Sequence, residues 1–237
     1  MKHAFREGRT MRVLASITTP LKMPFRRVRE IWRRVFIPRL ETLPNAPDLF
    51  AVYRSLSEHP ALERKPGGWL YQDRFYPDYL TVGGASHAIF PVALNKCRGQ
   101  GVDIGAGLWP LPGATPVDSG RGPGVAKHIA HFEDGSLDFV FSSHCLEHIE
   151  NWRGALREWV DKLKPGGTLF LYLPHPDCAI WRPGSPIVGD GHKWIPKPEI
   201  VKQTLQELGC EIEYLTHDPD AMQSFAVCGR KRGGPQR

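Results

Sequence analysis

The sequence predicts an α/β fold: a mostly parallel sheet with helices on its faces and an antiparallel pair of strands at the end. Three observations carry that expectation. From residue 84 onward, helical and strand periodicities alternate, the pattern of a parallel sheet whose crossovers are helices. A short apolar strand, 101–104, runs straight into Gly105 and Gly107, and Lys164-Pro165-Gly166-Gly167 stops one helical pattern just before the apolar run 168–173. With 237 residues, 41% hydrophobic and 24% charged, the chain has the composition of one ordinary globular core, which excludes wholesale disorder and fibrous classes. Its longest apolar runs, 137–142 and 168–173, are of strand length, whereas a membrane-spanning helix requires roughly 20 apolar residues.

The chain is expected to divide into a basic N-terminal extension (1–83), the α/β body (84–230) and a basic tail (231–237). Residues 1–20 are rich in arginine, but the apolar run 13–19 is short and lacks a convincing cleavage site, so a signal peptide is not expected. A mitochondrial presequence would share the bias and stays open. Residues 24–38 read as an amphipathic helix with Phe25, Val28, Trp32 and Val35 on one stripe and five arginines elsewhere. Such a helix suits an anionic membrane surface or an acidic partner, and docking on the domain with its arginines in solvent is the favoured reading. Residues 41–83 are rich in proline and aromatics (Trp69, Tyr71, Phe75, Tyr76, Tyr79) without clear periodicity, and read either as a cover over a substrate site or as a packed extension.

In the body, the patterns predict a helix over 85–94, strands at 101–104, 114–117, 125–129 and 137–142, and a helix over 149–163 with Trp152, Leu156, Trp159, Val160 and Leu163 inward. A strand at 168–173, a helix at 198–208 ended by Gly209, and strands at 211–215 and 224–229 complete it. No internal repeat is visible.

The net charge of +6 belongs to the ends. Residues 1–40 hold 11 basic and 2 acidic side chains and 230–237 hold four basic and none acidic, which leaves 16 basic against 23 acidic in 41–229. An acidic body does not suit a groove that tracks nucleic-acid phosphates, so nucleic acid is not the expected partner. Five cysteines, an odd number with no C-x-x-C pair, argue against a disulfide framework and a structural zinc site, and point to a reducing cytoplasm.

Gly105 and Gly107 let the backbone turn sharply and approach a ligand where a Cβ would intrude. Asp118, at the end of the next predicted strand, is placed to accept the two hydroxyls of a ribose. A dinucleotide oxidoreductase would need a third glycine opening a helix that receives a pyrophosphate, but Pro110 and Pro112 stand there and break a helix. A ribose-bearing ligand without a diphosphate fits better.

Four segments, in this order and spacing, resemble the class I S-adenosylmethionine-dependent methyltransferases across roughly residues 99–230. They are Val102-Asp103-Ile104-Gly105-Ala106-Gly107, Phe132-Glu133-Asp134-Gly135-Ser136-Leu137-Asp138, Ser142-Ser143-His144-Cys145-Leu146-Glu147-His148, and Leu163-Lys164-Pro165-Gly166-Gly167. The Pro-rich loop 108–113 in place of a first helix is similar to a compact subgroup found among bacterial sugar and cell-surface glycan methyltransferases. The resemblance implies a three-layer, Rossmann-like fold with a mostly parallel seven-stranded sheet, and S-adenosylmethionine as cofactor. It implies that Asp103, Gly105, Ala106 and Gly107 surround the methionine part of that cofactor, that Asp118 holds the ribose, and that Ser143 and His144 lie beside the sulfonium. Two positions depart from the family pattern: Trp109 replaces a third glycine, and Ala126, followed by Lys127 and His128, stands where an acidic or amide residue is usual.

Methyl transfer is an in-line displacement, so alignment of the acceptor is most of what such an enzyme supplies. A hydroxyl acceptor is helped by a general base, and His144, His148, His175 and His192 fall in or after segments at the carboxyl ends of strands. His144 is the first candidate and His175 the second. His148 also reads as a helix cap. His144 and His148 are spaced i, i+4, but no third ligand declares itself, so no metal is expected. Trp181 and Trp194, in the long irregular segment 174–194, present faces that suit a sugar, and plain packing accounts for them equally. The leading reading is O-methylation of a sugar, glycan or other small hydroxyl acceptor in the cytoplasm, with contact at the inner membrane face through 24–38 left open as an alternative to docking of that helix on the domain. The alternatives are methylation of nucleic acid or protein, and a non-catalytic interaction module on the same fold. Oligomeric state is not legible.

Overall fold

The structure is a computed structural model that describes residues 59–81, 84–107, 109–117 and 129–233. The expected basic helix at 24–38, Asp118, Ala126 to His128, and most of the strand expected at 125–129 lie outside the described residues.

The described chain opens with a small antiparallel sheet of three strands, β1 (Glu63–Lys65), β2 (Gly68–Tyr71) and β3 (Arg74–Pro77), in the order β1-β2-β3. Two tight turns make it. Pro66-Gly67 joins β1 to β2 with Gly67 at φ +81°, the left-handed position that glycine fills after proline. Gln72-Asp73 joins β2 to β3 with both residues at positive φ (51° and 58°), the twist a two-residue hairpin needs. Trp69 and Tyr76 are each 1% exposed, so the sheet is a packed element.

The large sheet holds six strands among the described residues: β4 (Gly101–Ile104), β5 (Thr115–Val117), β6 (Leu137–Ser143), β7 (Leu163–Pro174), β8 (Cys210–Leu215) and β9 (Ser224–Lys231). Their order is β5-β4-β6-β7-β9-β8, with β5, β4, β6 and β7 parallel and β9 antiparallel to both neighbours. Alternation along β6 divides the core into two layers. Val140, with Val102, Ile104, Leu169 and Leu171, faces helices α2 (Trp152–Lys162) and α3 (Pro198–Glu207), which bring Leu156, Trp159, Val201 and Leu205. Phe139 and Phe141, with Phe170 and Tyr172, face helix α1 (Ser86–Lys96) through Ile89 and Ala93. Three layers result, as the sequence predicts.

Local chemistry sets the ends of the elements. The Asn151 side chain accepts from the Gly154 N–H at 3.2 Å and caps α2, so this helix starts three residues later than its apolar pattern suggests, after a separate 3-10 turn at Leu146–His148. Pro198 opens α3, and Gly209 at φ +84° ends it. Strand β7 is longer than expected: Leu163 already pairs with Leu137, and regular pairing resumes at Thr168 after the Lys164–Gly167 irregularity. Among the described residues no helix joins β4 to β5, in keeping with Pro110 and Pro112. All five cysteines are buried thiols, and burial pushes Cys210 up to about 11 and Cys178 and Cys228 up to about 12. No described helix is long and apolar enough to cross a membrane.

The small sheet braces the segment that follows β7. Arg74 donates to the Asp177 carbonyl and to Gln223 Oε1, both at 2.9 Å, and Tyr79 Oη donates to the Ala221 carbonyl at 2.8 Å. Tyr76 and Leu80 pack with Cys178 and Ile180, while Tyr76 Oη accepts from the Ala179 N–H.

Candidate active site

Parallel strands of an open α/β sheet point their carboxyl ends at a common edge, where ligands bind. Here that edge carries the Gly105–Gly107 turn after β4, Ser143 and His144 at the end of β6, and His175 after β7. Gly105 (φ +78°) and Gly107 (φ +53°) both hold left-handed backbone. Ser142 Oγ donates to the Ile104 carbonyl at 2.9 Å and ties β6 to β4, and the Gly105 N–H donates to the Val117 carbonyl. Asp103 is buried and its Oδ2 accepts from the Leu111 N–H at 2.7 Å, so the carboxylate shapes the loop that replaces the first helix. Trp109 leaves that loop toward the start of α1, edge-on to His87.

The turn and its neighbour fit a ligand. Among the described residues, a Cβ on Gly107 would meet the Gly105 carbonyl at 4.0 Å. Ala106 is buried beside it, and the buried Ser143 Oγ has no hydrogen-bond partner among the described residues.

His144 sits at φ +48°, a strained position for a residue without glycine's freedom. Its ring stands edge-on to Tyr172 and Trp181. Ser224 Oγ lies 2.8 Å from His144 Nε2 and donates to the Met222 carbonyl at 3.1 Å, so Nε2 carries the proton and donates. Nδ1 then presents its lone pair toward Glu147 Oε1, 3.6 Å away. Behind Ser224, the Tyr172 hydroxyl donates to Asp220, which also accepts from the Met222 and Ser224 N–H groups.

His175 is placed differently. Its Nδ1 accepts from the Asp177 N–H at 3.2 Å and its Nε2 donates to the His217 carbonyl at 2.9 Å, so both ring nitrogens are engaged in holding the segment after β7 to the β8–β9 connection.

Sequence reasoning did not single out Glu147 as a site residue, nor the way the fold gathers histidines around it. The carboxyl group is fully buried, yet neither oxygen has a hydrogen-bond partner among the described residues. Burial pushes it up to about 8. His192 Nε2 lies 3.9 Å from Oε1, and the His148 and His192 rings meet edge to face at 4.6 Å. Burial, then the neighbouring imidazoles, hold His144 down to about 3; burial and His148 hold His192 down to about 4. Of the two tryptophans, Trp194 stacks on Trp152 at 4.1 Å and donates to the Leu146 carbonyl, which accounts for it by packing. Trp181 lies over His192, and its buried Nε1 lacks a partner among the described residues.

A cleft lined by Lys96, Asp138, Lys164 and Arg230 lies at the opposite, amino ends of β6 and β7. Its charges are paired, Lys164 with Asp138 and both Lys96 and Arg230 with Glu213, so it is a salt-bridged surface far from the glycine turn.

The methyltransferase-domain family matches residues 118–171, from the segment after β5 through most of β7. The segment that holds β6 and most of β7 therefore carries a methyltransferase-domain match, and S-adenosylmethionine is the cofactor that this match and the motifs together support. No curated protein matches the chain. Among solved structures, the chain is similar to a SAM-dependent methyltransferase from Thermotoga maritima (16% identity, 60% of this chain and 86% of that one, TM-score 0.47). It is likewise similar to an S-adenosylmethionine-dependent methyltransferase from Mesorhizobium loti (16% identity, 63% and 99%, TM-score 0.46).

Proposed function

We propose that the protein O-methylates a sugar, glycan or other small hydroxyl acceptor at the carboxyl edge of the sheet. One observation carries this reading: the left-handed Gly105–Gly107 turn and the Ser143 hydroxyl, which has no partner among the described residues, share the carboxyl edge of the sheet with His144, so a cofactor site and a proton acceptor adjoin. Gly105, Ala106 and Gly107 would receive the methionine part of the cofactor and Ser143 its reactive end, while Asp103 holds the loop in shape and Asp118 takes the ribose. When bound, the cofactor supplies a methyl carbon whose bond to sulfur breaks as the acceptor oxygen bonds to it, the hydroxyl proton being released. His144 would take that proton at Nδ1, the nitrogen left bare by the bond from Nε2 to Ser224, with its ring held in one orientation by Ser224 and the edge of Tyr172. Trp181 offers an aromatic wall for a sugar ring. His175 is a positioning residue in this reading, because both of its nitrogens are in use. Buried thiols accord with a reducing cytoplasm. The mildly acidic body favours a small or glycan acceptor over nucleic acid.

The test begins with calorimetric titration by S-adenosylhomocysteine, followed by turnover on a panel of nucleotide sugars and glycans. Micromolar binding is expected, weakened by about threefold to tenfold in Ser143→Val, the worth of one hydrogen bond. His144→Asn, which tolerates left-handed backbone, is expected to keep that affinity and lose turnover. A folded protein that binds neither S-adenosylmethionine nor S-adenosylhomocysteine overturns the reading in favour of an interaction module.

A further inference from the structure

The 3-10 turn Leu146–His148 and the segment after β7 are knotted together around Glu147. The Lys193 N–H donates to the Glu147 carbonyl at 2.7 Å, which fixes His192 opposite the Glu147 side chain. His148 Nδ1 lies 2.9 Å from the Gly191 carbonyl, and His192 Nδ1 lies 2.6 Å from the Trp181 carbonyl. A carbonyl can only accept, so both Nδ1 atoms carry the proton and both Nε2 atoms present lone pairs. Ligand atoms of Glu147, His148 and His192 all lie within 4.8 Å of one another. Into that convergence of lone pairs points a fully buried carboxylate with no hydrogen-bond donor on either oxygen among the described residues. Buried carboxyl groups are normally paired, hydrogen-bonded or bound to a cation, and here an unsatisfied carboxyl group and two imidazole lone pairs converge on one point.

We infer that Glu147, His148 and His192 bind a divalent transition-metal cation of the zinc class. Two imidazoles and one carboxylate suit such ions and do not suit magnesium or calcium, which take oxygen ligands. The Nδ1–H bonds to backbone carbonyls are the outer contacts that fix tautomer and ring direction in metal-ligating histidines. Bonds of about 2.0–2.2 Å to three ligands require the ligand atoms to draw together slightly from their present separation. His148 is exposed while Glu147 and His192 are buried, so the three ligands close one side of the ion and leave a coordination position toward solvent. Three protein ligands with an open position is the arrangement of a catalytic zinc site, and one of the three, Glu147, has Oε1 3.6 Å from His144 Nδ1. An acceptor hydroxyl bound there would have its acidity raised by the cation. That consequence rests on the methyl-transfer reading above; the binding itself does not.

The test uses the untagged full chain, stripped with a chelator and shown to be folded by circular dichroism. Zn2+ is titrated against a chromophoric competitor, and Co2+ absorption reports the ligand set. One ion per chain is expected, with a rise in melting temperature on adding Zn2+. His148→Ala, at an exposed position where folding is not at stake, and His192→Ala are each expected to weaken Zn2+ at least 100-fold and to change the Co2+ spectrum, with affinity for S-adenosylhomocysteine retained. No Zn2+ binding by the folded chain, or binding undiminished in both variants, overturns the metal site. Separate measurement of S-adenosylhomocysteine binding on the same stripped protein keeps that outcome distinct from failure of the methyltransferase reading.

Discussion

The backbone of Gly105 lies directly against Cys145: a methyl group on Gly105 would sit 2.5 Å from the Cys145 Cβ and 2.6 Å from its Sγ. The end of β4 and the end of β6 therefore meet without room for any side chain at this point. Gly105→Ala adds that clash to a φ of +78° and is expected to destabilise the fold by about 2 kcal/mol or more, read by chemical denaturation. Adding Cys145→Ala should not restore stability, since the Cys145 Cβ alone stands too close; full recovery in the double variant would show that the contact is misplaced.

Arg74 ties the small sheet to the segment after β7 through two hydrogen bonds. Arg74→Ala is expected to cost only about 1 kcal/mol globally, because the guanidinium is exposed. Its signature should be local, with faster amide exchange over 176–182 and 221–223 and no change in β4 or β6. Uniform acceleration across the sheet would show that the small sheet supports the whole fold.

Trp194 rests flat on Trp152 and donates to the carbonyl of Leu146, the first residue of the turn that carries Glu147. Trp194→Ala is expected to lower stability by about 2–3 kcal/mol, while Trp194→Phe keeps the stack and loses only the hydrogen bond, about 1 kcal/mol. Equal losses in thermal melts of the two would remove the stacking argument.

The Lys164 ammonium, and after it the Gln100 N–H, hold the Asp138 carboxyl below its usual value. A depressed carboxyl stabilises the fold above its unfolded value of 3.8 and ceases to do so as pH falls through the lower, folded value. Asp138→Asn is therefore expected to lower the melting temperature at neutral pH, with the gap to the parent closing below 3.8. A gap that stays constant down to acid denaturation would contradict the pairing.

Local chemistry made much of the large sheet legible before any coordinates. The inward residues of α2 repeat at helical spacing and are all buried, and Pro110 and Pro112 forbid the helix that β4 would otherwise lead into. The small sheet was not legible, because its decisive turn uses Gln72 and Asp73 where an Asn-Gly pair would have announced a hairpin. At the site, the glycine turn can be read directly, since only glycine tolerates that backbone. The gathering around Glu147 cannot: His192 reaches it through an irregular segment whose path is set by Tyr76, Arg74 and the Trp181 carbonyl, contacts made by residues distant in the chain. Spacing alone leaves His148 without its companion.

The burial of every native thiol has a practical corollary. All five cysteines lie out of solvent, and burial holds Cys97, Cys178, Cys210 and Cys228 protonated, so maleimide reagents should pass the native protein by. A single cysteine introduced at exposed Asp190, beside the segment that brings in His192, would then be the one address for a fluorophore or spin label. The molecule arrives already cleared of competing handles, and the local movements of that segment can be followed optically in an otherwise unaltered chain.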